Sequence, residues 1–302
     1  MTTEAATLPR DDFSSLAPTA RGWKRWAALA FSTALLIAIV VELHDGGFDV
    51  LTRALPAMPA FYLAFAAGYI VLPLFDWIIF RRLWGLPFAG LIPLLKKRVS
   101  NDVMFGYSGE AYFYLWVRER PALTARPFAA IKDVSILSAL AGNVMTLVLL
   151  LLAWPMLHDV TLAVEPQLLL GSGAIIIGIS FAILLFGKRI FSLSRRDLGA
   201  TFSLHMLRSM ISTLFLAIAW YFALPQVGVE YWVLFAALRM VINRLPLIPS
   251  KDLLFAAAAV FLTDKGDAMG AVVAMSAGLF LATNLALGIL LTGTDFIGQR
   301  RA

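Results

Sequence analysis

The sequence predicts an all-α polytopic membrane protein of about six spanning helices and two re-entrant helical hairpins, arranged as an inverted-topology repeat. Three observations predict it. Of 302 residues, 60% are hydrophobic and the mean hydropathy is +0.82, against roughly 45–50% apolar content in soluble domains. Six stretches are long and apolar enough to span. Two more are as long but broken by prolines, glycines and charges, at matching places in the two halves of the chain.

A spanning helix needs about 20 apolar residues. Residues 1–22 read as a cytoplasmic tail, and 23–292 as a single transmembrane domain. The first run, about 23–43, follows Arg21 and opens on Lys24 and Arg25. It has no small-x-small cleavage site after it and reads as a retained helix, not a leader. Spans at about 58–80 and 134–157 complete the first half, and spans at 168–187, 202–224 and 268–291 form the second. Residues 293–302 read as a second cytoplasmic tail. With both termini inside, nineteen of the 25 Lys and Arg residues fall in cytoplasmic segments and only Arg53 and Lys265 outside, as the positive-inside rule requires. Trp23, Trp26, Trp77, Trp84, Trp154, Trp220 and Trp232 fall near predicted helix ends, where an aromatic belt would place them.

The broken stretches are about 88–117 and 231–264. In this topology both ends of the first are cytoplasmic and both ends of the second external, so neither is one spanning helix. Each reads as a hairpin that enters and leaves on one side, tolerated at membrane depth where protein or a water-filled cavity covers it. The halves, about 23–157 and 168–291, are then span, span, hairpin, span in opposite orientation, the pattern of an inverted repeat. Ser108 and Ser250 stand 142 residues apart, as do Glu110 and Asp252.

Ser108 and Ser250 suit helix N-caps, and Glu110 and Asp252 suit first turns, where a carboxylate favours the dipole. Pro246 and Pro249 prevent an unbroken helix through the second tip, and Gly106 and Gly109 loosen the first. A helix N-terminus aimed into the membrane suits an anion. The candidate headgroup-binding set is therefore Arg244, Lys251, Ser250, Arg239 and Asn243 at the second tip, with Ser108, Glu110 and Tyr107 at the first. Mutual pairing of these charges is the structural alternative. Glu110, Asp252 and Asp76 are candidate coupling or gating carboxylates, with Arg81 or Arg82 the expected local partner of Asp76.

The tips carry a resemblance. Gly109-Glu110, the proline-rich Leu245-Pro246-Leu247-Ile248-Pro249 and the turn Asp264-Lys265-Gly266 are similar to motifs of the lysylphosphatidylglycerol synthase transmembrane family, whose members are often called flippase-like. The likeness covers most of 23–291. The chain departs from it in having Gly-Tyr-Ser before Glu110, Ser-Lys-Asp after Pro249, and Asn284 where relatives often carry an arginine. The resemblance implies movement of a lipid between leaflets of a bacterial inner membrane, without the synthase domain some relatives carry. The expected function is transbilayer translocation of an anionic or polyprenyl-linked lipid headgroup. The alternatives are a secondary carrier of a small anionic metabolite, and a non-transporting partner of a lipid- or glycan-biosynthesis enzyme.

Other polar residues have plainer readings. Lys132 and Asp133 read as an interfacial pair. Arg208, near His205, either snorkels to the cytoplasmic face or points into a cavity. Asn143 and Asn284 read as helix-to-helix hydrogen-bonding groups. Tyr107, Tyr112, Tyr114 and Trp116 anchor an interface or stack on a headgroup. Catalysis is not expected: there is no cysteine, the three histidines are scattered, and no metal, cofactor or nucleophile motif is present. The basic residues lie between apolar segments, which points to the membrane surface and away from nucleic acid.

Overall fold

The computed structural model describes residues 56–103, 107–120, 123–124, 126–153, 178, 190–244, 254–255, 258–259 and 268–299. The predicted N-terminal tail, the span at 23–43 and all but one residue of 168–187 lie outside them, as do Gly106, Ser250, Lys251 and Asp252.

Every described element is helical. Helix α1, Pro59–Trp84, opens with proline at its first position, where the missing N–H costs nothing. It closes on Gly85, whose φ of 67° lets its N–H reach Arg81 O at 2.8 Å. A 3-10 turn, Phe88–Gly90, leads into the first broken stretch, which forms two helices, α2 (Leu91–Val103) and α3 (Ser108–Arg118). They pack on each other so closely that a Cβ at Gly109 would lie 1.9 Å from Lys97 O. Close approach, not backbone freedom, is what requires glycine there.

The N-cap of α3 is Tyr107, held in left-handed conformation at φ 76° without a side-chain cap bond. Ser108, expected as the cap, is the first helical residue, and its hydroxyl donates to Ser100 O at 2.7 Å. Asn101 does the capping from across the pair, accepting from Gly109 N at 2.7 Å. One bond satisfies a carbonyl in the last turn of α2 and the other an N–H in the first turn of α3, the groups a helix end leaves open.

Helix α4 is Pro127–Ala153 and α5 is Arg195–Ala223. Both start several residues before the apolar runs that announced them, because polar residues in their first two turns find partners. Asp133, fully buried, accepts from Ser192 N at 2.6 Å and Leu193 N at 2.8 Å, while Lys132 Nζ lies 3.4 Å from its other oxygen. The expected Lys132–Asp133 pair is present, and it also latches residues 190–193 to α4 through Lys132 Nζ and Ile190 O. Ser194 caps α5: its hydroxyl accepts from Asp197 N at 3.2 Å and donates to Asp197 Oδ2 at 2.7 Å.

Helix α6, Val229–Arg244, is the first part of the second broken stretch. The rings of Trp232 and Phe255 both lie on Trp220, at 5.7 and 6.0 Å. Positions 23 residues apart on one straight helix would be roughly 35 Å apart, so this stretch is not a single straight helix. Helix α7, Ala268–Gln299, carries helix through most of the segment expected as a tail.

Four of these helices, α1, α4, α5 and residues 268–288 of α7, are long and apolar enough to cross a membrane. Large apolar side chains such as Leu63, Leu151 and Leu214 are exposed on them, while Asp76, Asn143, Thr201, His205 and Asn284 are buried. Apolar outside and polar inside is the arrangement of a protein integrated in lipid, where packing and interhelical hydrogen bonds hold helices together. Helix α1 lies along α5, α4 packs on α5 and α6, and α2 packs on α7. Trp220 and Trp232, expected in an interfacial belt, are core residues instead, stacked on each other and on Phe255 and Phe235. Sequence position near a helix end does not reveal which way the ring points.

Candidate functional site

Six helices, α1 to α6, aim polar side chains at one cavity of about 340 Å³, α4 through Ser135 and Ser138. On α1 the lining residues Phe65, Gly68, Leu72 and Asp76 recur at helical spacing, and Asp76 is the polar side chain among them. On α5 the same period gives a polar stripe of His205, Arg208, Ser209 and Ser212. Helix α2 adds Lys97, Arg98, Asn101 and Asp102, α3 adds Glu110, and α6 adds Arg239.

The centre of the cavity is an ion cluster. Lys97 Nζ donates to Asp76 Oδ2 at 2.6 Å and lies 3.3 Å from Glu110 Oε1. Arg208 Nη1 donates to Asp76 Oδ1 at 2.6 Å, and its Nη2 donates to Ser138 Oγ at 2.7 Å. Each oxygen of Asp76 is thus held by a different cation. Arg208 points into the cavity, and Asp76 pairs with Lys97 and Arg208 in place of Arg81 or Arg82. Those two arginines lie past the last turn that faces the cavity: Arg81 sits over the Trp77 ring, and Arg82 is 3.8 Å from Asp197. Removing one member of such a buried pair typically costs about 3–5 kcal/mol, because the other charge is stranded.

A second cluster surrounds Arg98. Pro73 has no N–H to give to Tyr69 O four residues earlier. Arg98 Nη1 donates to that carbonyl, and its guanidinium lies 3.7 Å from the Tyr69 ring centre. Its Nε reaches Asp102 Oδ2 at 3.4 Å, which Asn284 Nδ2 approaches at 3.3 Å, and Tyr69 OH donates to Asn284 Oδ1 at 2.6 Å. Asn284 is therefore the interhelical hydrogen-bonding group expected of it. Asn143 is buried on α4.

His205 is fully buried, with Nε2 3.1 Å from Val134 O. A carbonyl only accepts, so Nε2 carries the hydrogen and Nδ1 is left as an acceptor. Among the described residues, His205 Nδ1 and Glu110 Oε2 are buried with no hydrogen-bond partner, and no group of three or more His, Asp or Glu could hold a metal ion.

Of the residues expected to bind or couple, the structure brings Glu110, Tyr107, Asp76 and Arg239 to this cavity, with Arg239 5.2 Å over the Phe280 ring. Ser108 is at the α2–α3 contact, bonded to backbone. Asn243 and Arg244 lie at the end of α6, with their side chains outside the described residues; Ser250, Lys251 and Asp252 lie outside them entirely.

Sequence reasoning missed Lys97, Arg98, Asn101 and Asp102, and counted both cations as cytoplasmic charges. Lys97 is 8% exposed, because it belongs to the arm of a helical pair and not to a loop. A signal was available. Lys97, Val99 and Asn101 stand 142 residues before Arg239, Val241 and Asn243, the separation already seen for Ser108 and Ser250. The second half thus repeats Lys/Arg-x-Val-x-Asn ahead of the tip.

No protein-family model matches the chain, and no curated protein and no solved structure matches it either.

Proposed function

We propose that this protein is a translocator that passes an anionic or polyprenyl-linked lipid headgroup across the membrane through this cavity while the tails stay in lipid. One observation carries the reading: a cluster of buried charges walls a cavity among helices long enough to span. Each charge at membrane depth costs about 2.5–3.5 kcal/mol on insertion scales, so intramembrane ion clusters mark pathways by default. The lining includes four cations, Lys97, Arg98, Arg208 and Arg239, against three carboxylates, Asp76, Asp102 and Glu110, which favours an anionic guest. The volume suits a headgroup and is far too small for a whole lipid.

Alternating access from an inverted repeat is the proposed mechanism. Two features support it. The motif pair at 97–101 and 239–243 has the same spacing as the two tips. The packing also exchanges between halves: α2 lies on α7 while α6 lies on α4, and α1 lies on α5, as a pseudo-twofold relation requires. In this reading α2 and α3 form a re-entrant pair, the termini are cytoplasmic, and the membrane is a bacterial inner membrane. The flippase-like resemblance adds only its two short tip motifs.

The test is reconstitution in vesicles carrying headgroup-labelled phospholipid, with a membrane-impermeant quencher outside. Quenching beyond the outer-leaflet half, faster than in empty vesicles and lost with Arg239→Gln, is the expected result. Uptake of soluble phosphate esters without lipid movement would identify a small-anion carrier. No flux of either kind would leave a non-transporting partner of a biosynthetic enzyme as the reading. Single cysteines at Ser108 and Ser250, in a chain with none of its own, check the topology. Labelling from opposite faces is expected; labelling from one face refutes the inverted repeat.

A further inference from the structure

We propose that Asp76 is a built-in stand-in for the substrate's anion, and that an entering phosphodiester displaces it from Lys97 and Arg208. The inference rests on the translocator reading but concerns binding, and is tested without transport.

The geometry is that of an occupied oxyanion site. Two cations from different elements, Lys97 on α2 and Arg208 on α5, each hold one oxygen of the same carboxylate at 2.6 Å. The two non-bridging oxygens of a phosphodiester present the same kind of paired acceptors to such donors. The site is built and buried: Asp76 is 7% and Lys97 8% exposed, and both, with Arg208, line the cavity. Ser138 orients Arg208 from the far side at 2.7 Å, so the guanidinium keeps its aim when its carboxylate leaves. Lys97 has a second carboxylate within reach, Glu110 at 3.3 Å, so it is not stranded during the exchange.

The exchange has a mechanical consequence. Asp76 and Lys97 belong to the first half of the chain, and Arg208 to the second. While Asp76 holds both cations, it ties α1 to α5. A guest that takes over the two cations releases that tie, and the halves are free to reposition only when loaded. An internal competitor also lowers apparent affinity in proportion to the time it occupies the site, which favours release of the guest on the far side.

The test uses the full-length protein in detergent with two probes, inorganic phosphate and dihexanoyl phosphatidylglycerol. The isosteric Asp76→Asn variant removes the competitor and should bind a probe about tenfold more tightly than wild type, the effect of an internal state favoured by roughly 1.4 kcal/mol. Adding Arg208→Gln or Lys97→Gln should abolish the gain. In wild type, which avoids any folding defect, labelling of Asp76 by dicyclohexylcarbodiimide should rise on adding the probe, because the carboxylate leaves its cations.

A response to the lipid alone makes the guest a headgroup, and a response to phosphate alone makes it a soluble anion; both support displacement. Unchanged or weaker binding by a folded Asp76→Asn, or carbodiimide labelling that falls or stays level with both probes, overturns it. Displacement observed without vesicle flux would overturn the translocator reading and leave this one standing.

Discussion

Gly109→Ala tests the contact on which the cavity is assembled. The added Cβ would lie 1.9 Å from Lys97 O, 2.7 Å from Lys97 C and 2.9 Å from Asn101 Oδ1. The first two neighbours are backbone, so no rotamer change relieves the clash. Restoring ordinary contact needs a separation of roughly 1.5 Å between α2 and α3, and close-packed interiors resist such shifts. That movement breaks the bonds from Gly109 N to Asn101 and from Ser108 to Ser100, both 2.7 Å, and draws Glu110 away from Lys97. Overpacking costs about 1–3 kcal/mol and each lost bond about 1 kcal/mol, so about 3–5 kcal/mol of stability should go. The assay is reversible unfolding of the purified protein in mixed micelles, with headgroup translocation measured alongside. Gly85→Ala is the control: its φ is positive, unlike that of helical Gly109, and nothing lies within 4 Å of the new Cβ, so only about 1 kcal/mol of backbone strain is expected. If Gly109→Ala unfolds no earlier than Gly85→Ala and translocates normally, the reasoning about the α2–α3 contact is refuted.

Arg98→Leu should destabilise by about 1–3 kcal/mol by removing the charge-assisted bond to Tyr69 O; in a Pro73→Ala background, where the helix supplies a bond to that carbonyl itself, the loss should shrink by about 1 kcal/mol. An additive double-mutant cycle in unfolding experiments would sink the idea that Arg98 serves the proline. Asp133→Ala strands the N–H groups of Ser192 and Leu193 and should cost about 2–4 kcal/mol, read from the same unfolding curves; a loss under about 0.5 kcal/mol contradicts the latch. Trp220→Phe gives up the bond from Nε1 to Ser276 Oγ at 3.1 Å, whereas Trp232 Nε1 has no partner among the described residues. Trp220→Phe should therefore cost about 1 kcal/mol more than Trp232→Phe, and the reverse order would contradict this assignment.

How much was legible follows from what each inference needed. Membrane integration and the positions of α1, α4, α5 and α7 needed only the length of apolar runs, and the break between α2 and α3 was visible as glycine and charge in a run otherwise long enough to span. Glu110 and Asp76 stood out because carboxylates in apolar stretches are costly. Lys97 and Arg98 did not, because a Lys-Lys-Arg run reads as a membrane-surface charge cluster until α3 is known to cover it. The partner of Asp76 was equally hidden. Arg81 and Arg82 are five and six residues away, but Lys97 and Arg208 are 21 and 132 away, and no local rule ranks distant cations. Trp220 and Trp232 were misplaced for the same reason, since proximity to a helix end fixes depth but not facing.

That the chain is integrated in lipid, and roughly where α1, α4, α5 and α7 run, follows from the residues alone, because hydrophobic length is a local property. A common spacing of 142 residues relates Lys97 to Arg239, Asn101 to Asn243 and Ser108 to Ser250. Which charges meet depends on the assembled fold. Pairing Asp76 with Lys97 and Arg208, seating Arg98 on the Tyr69 carbonyl, and closing the cavity with Glu110 all depend on which helix faces come together. In a bilayer that choice is made by close packing and by the need of every buried polar group for a partner, and both are properties of the assembled helices.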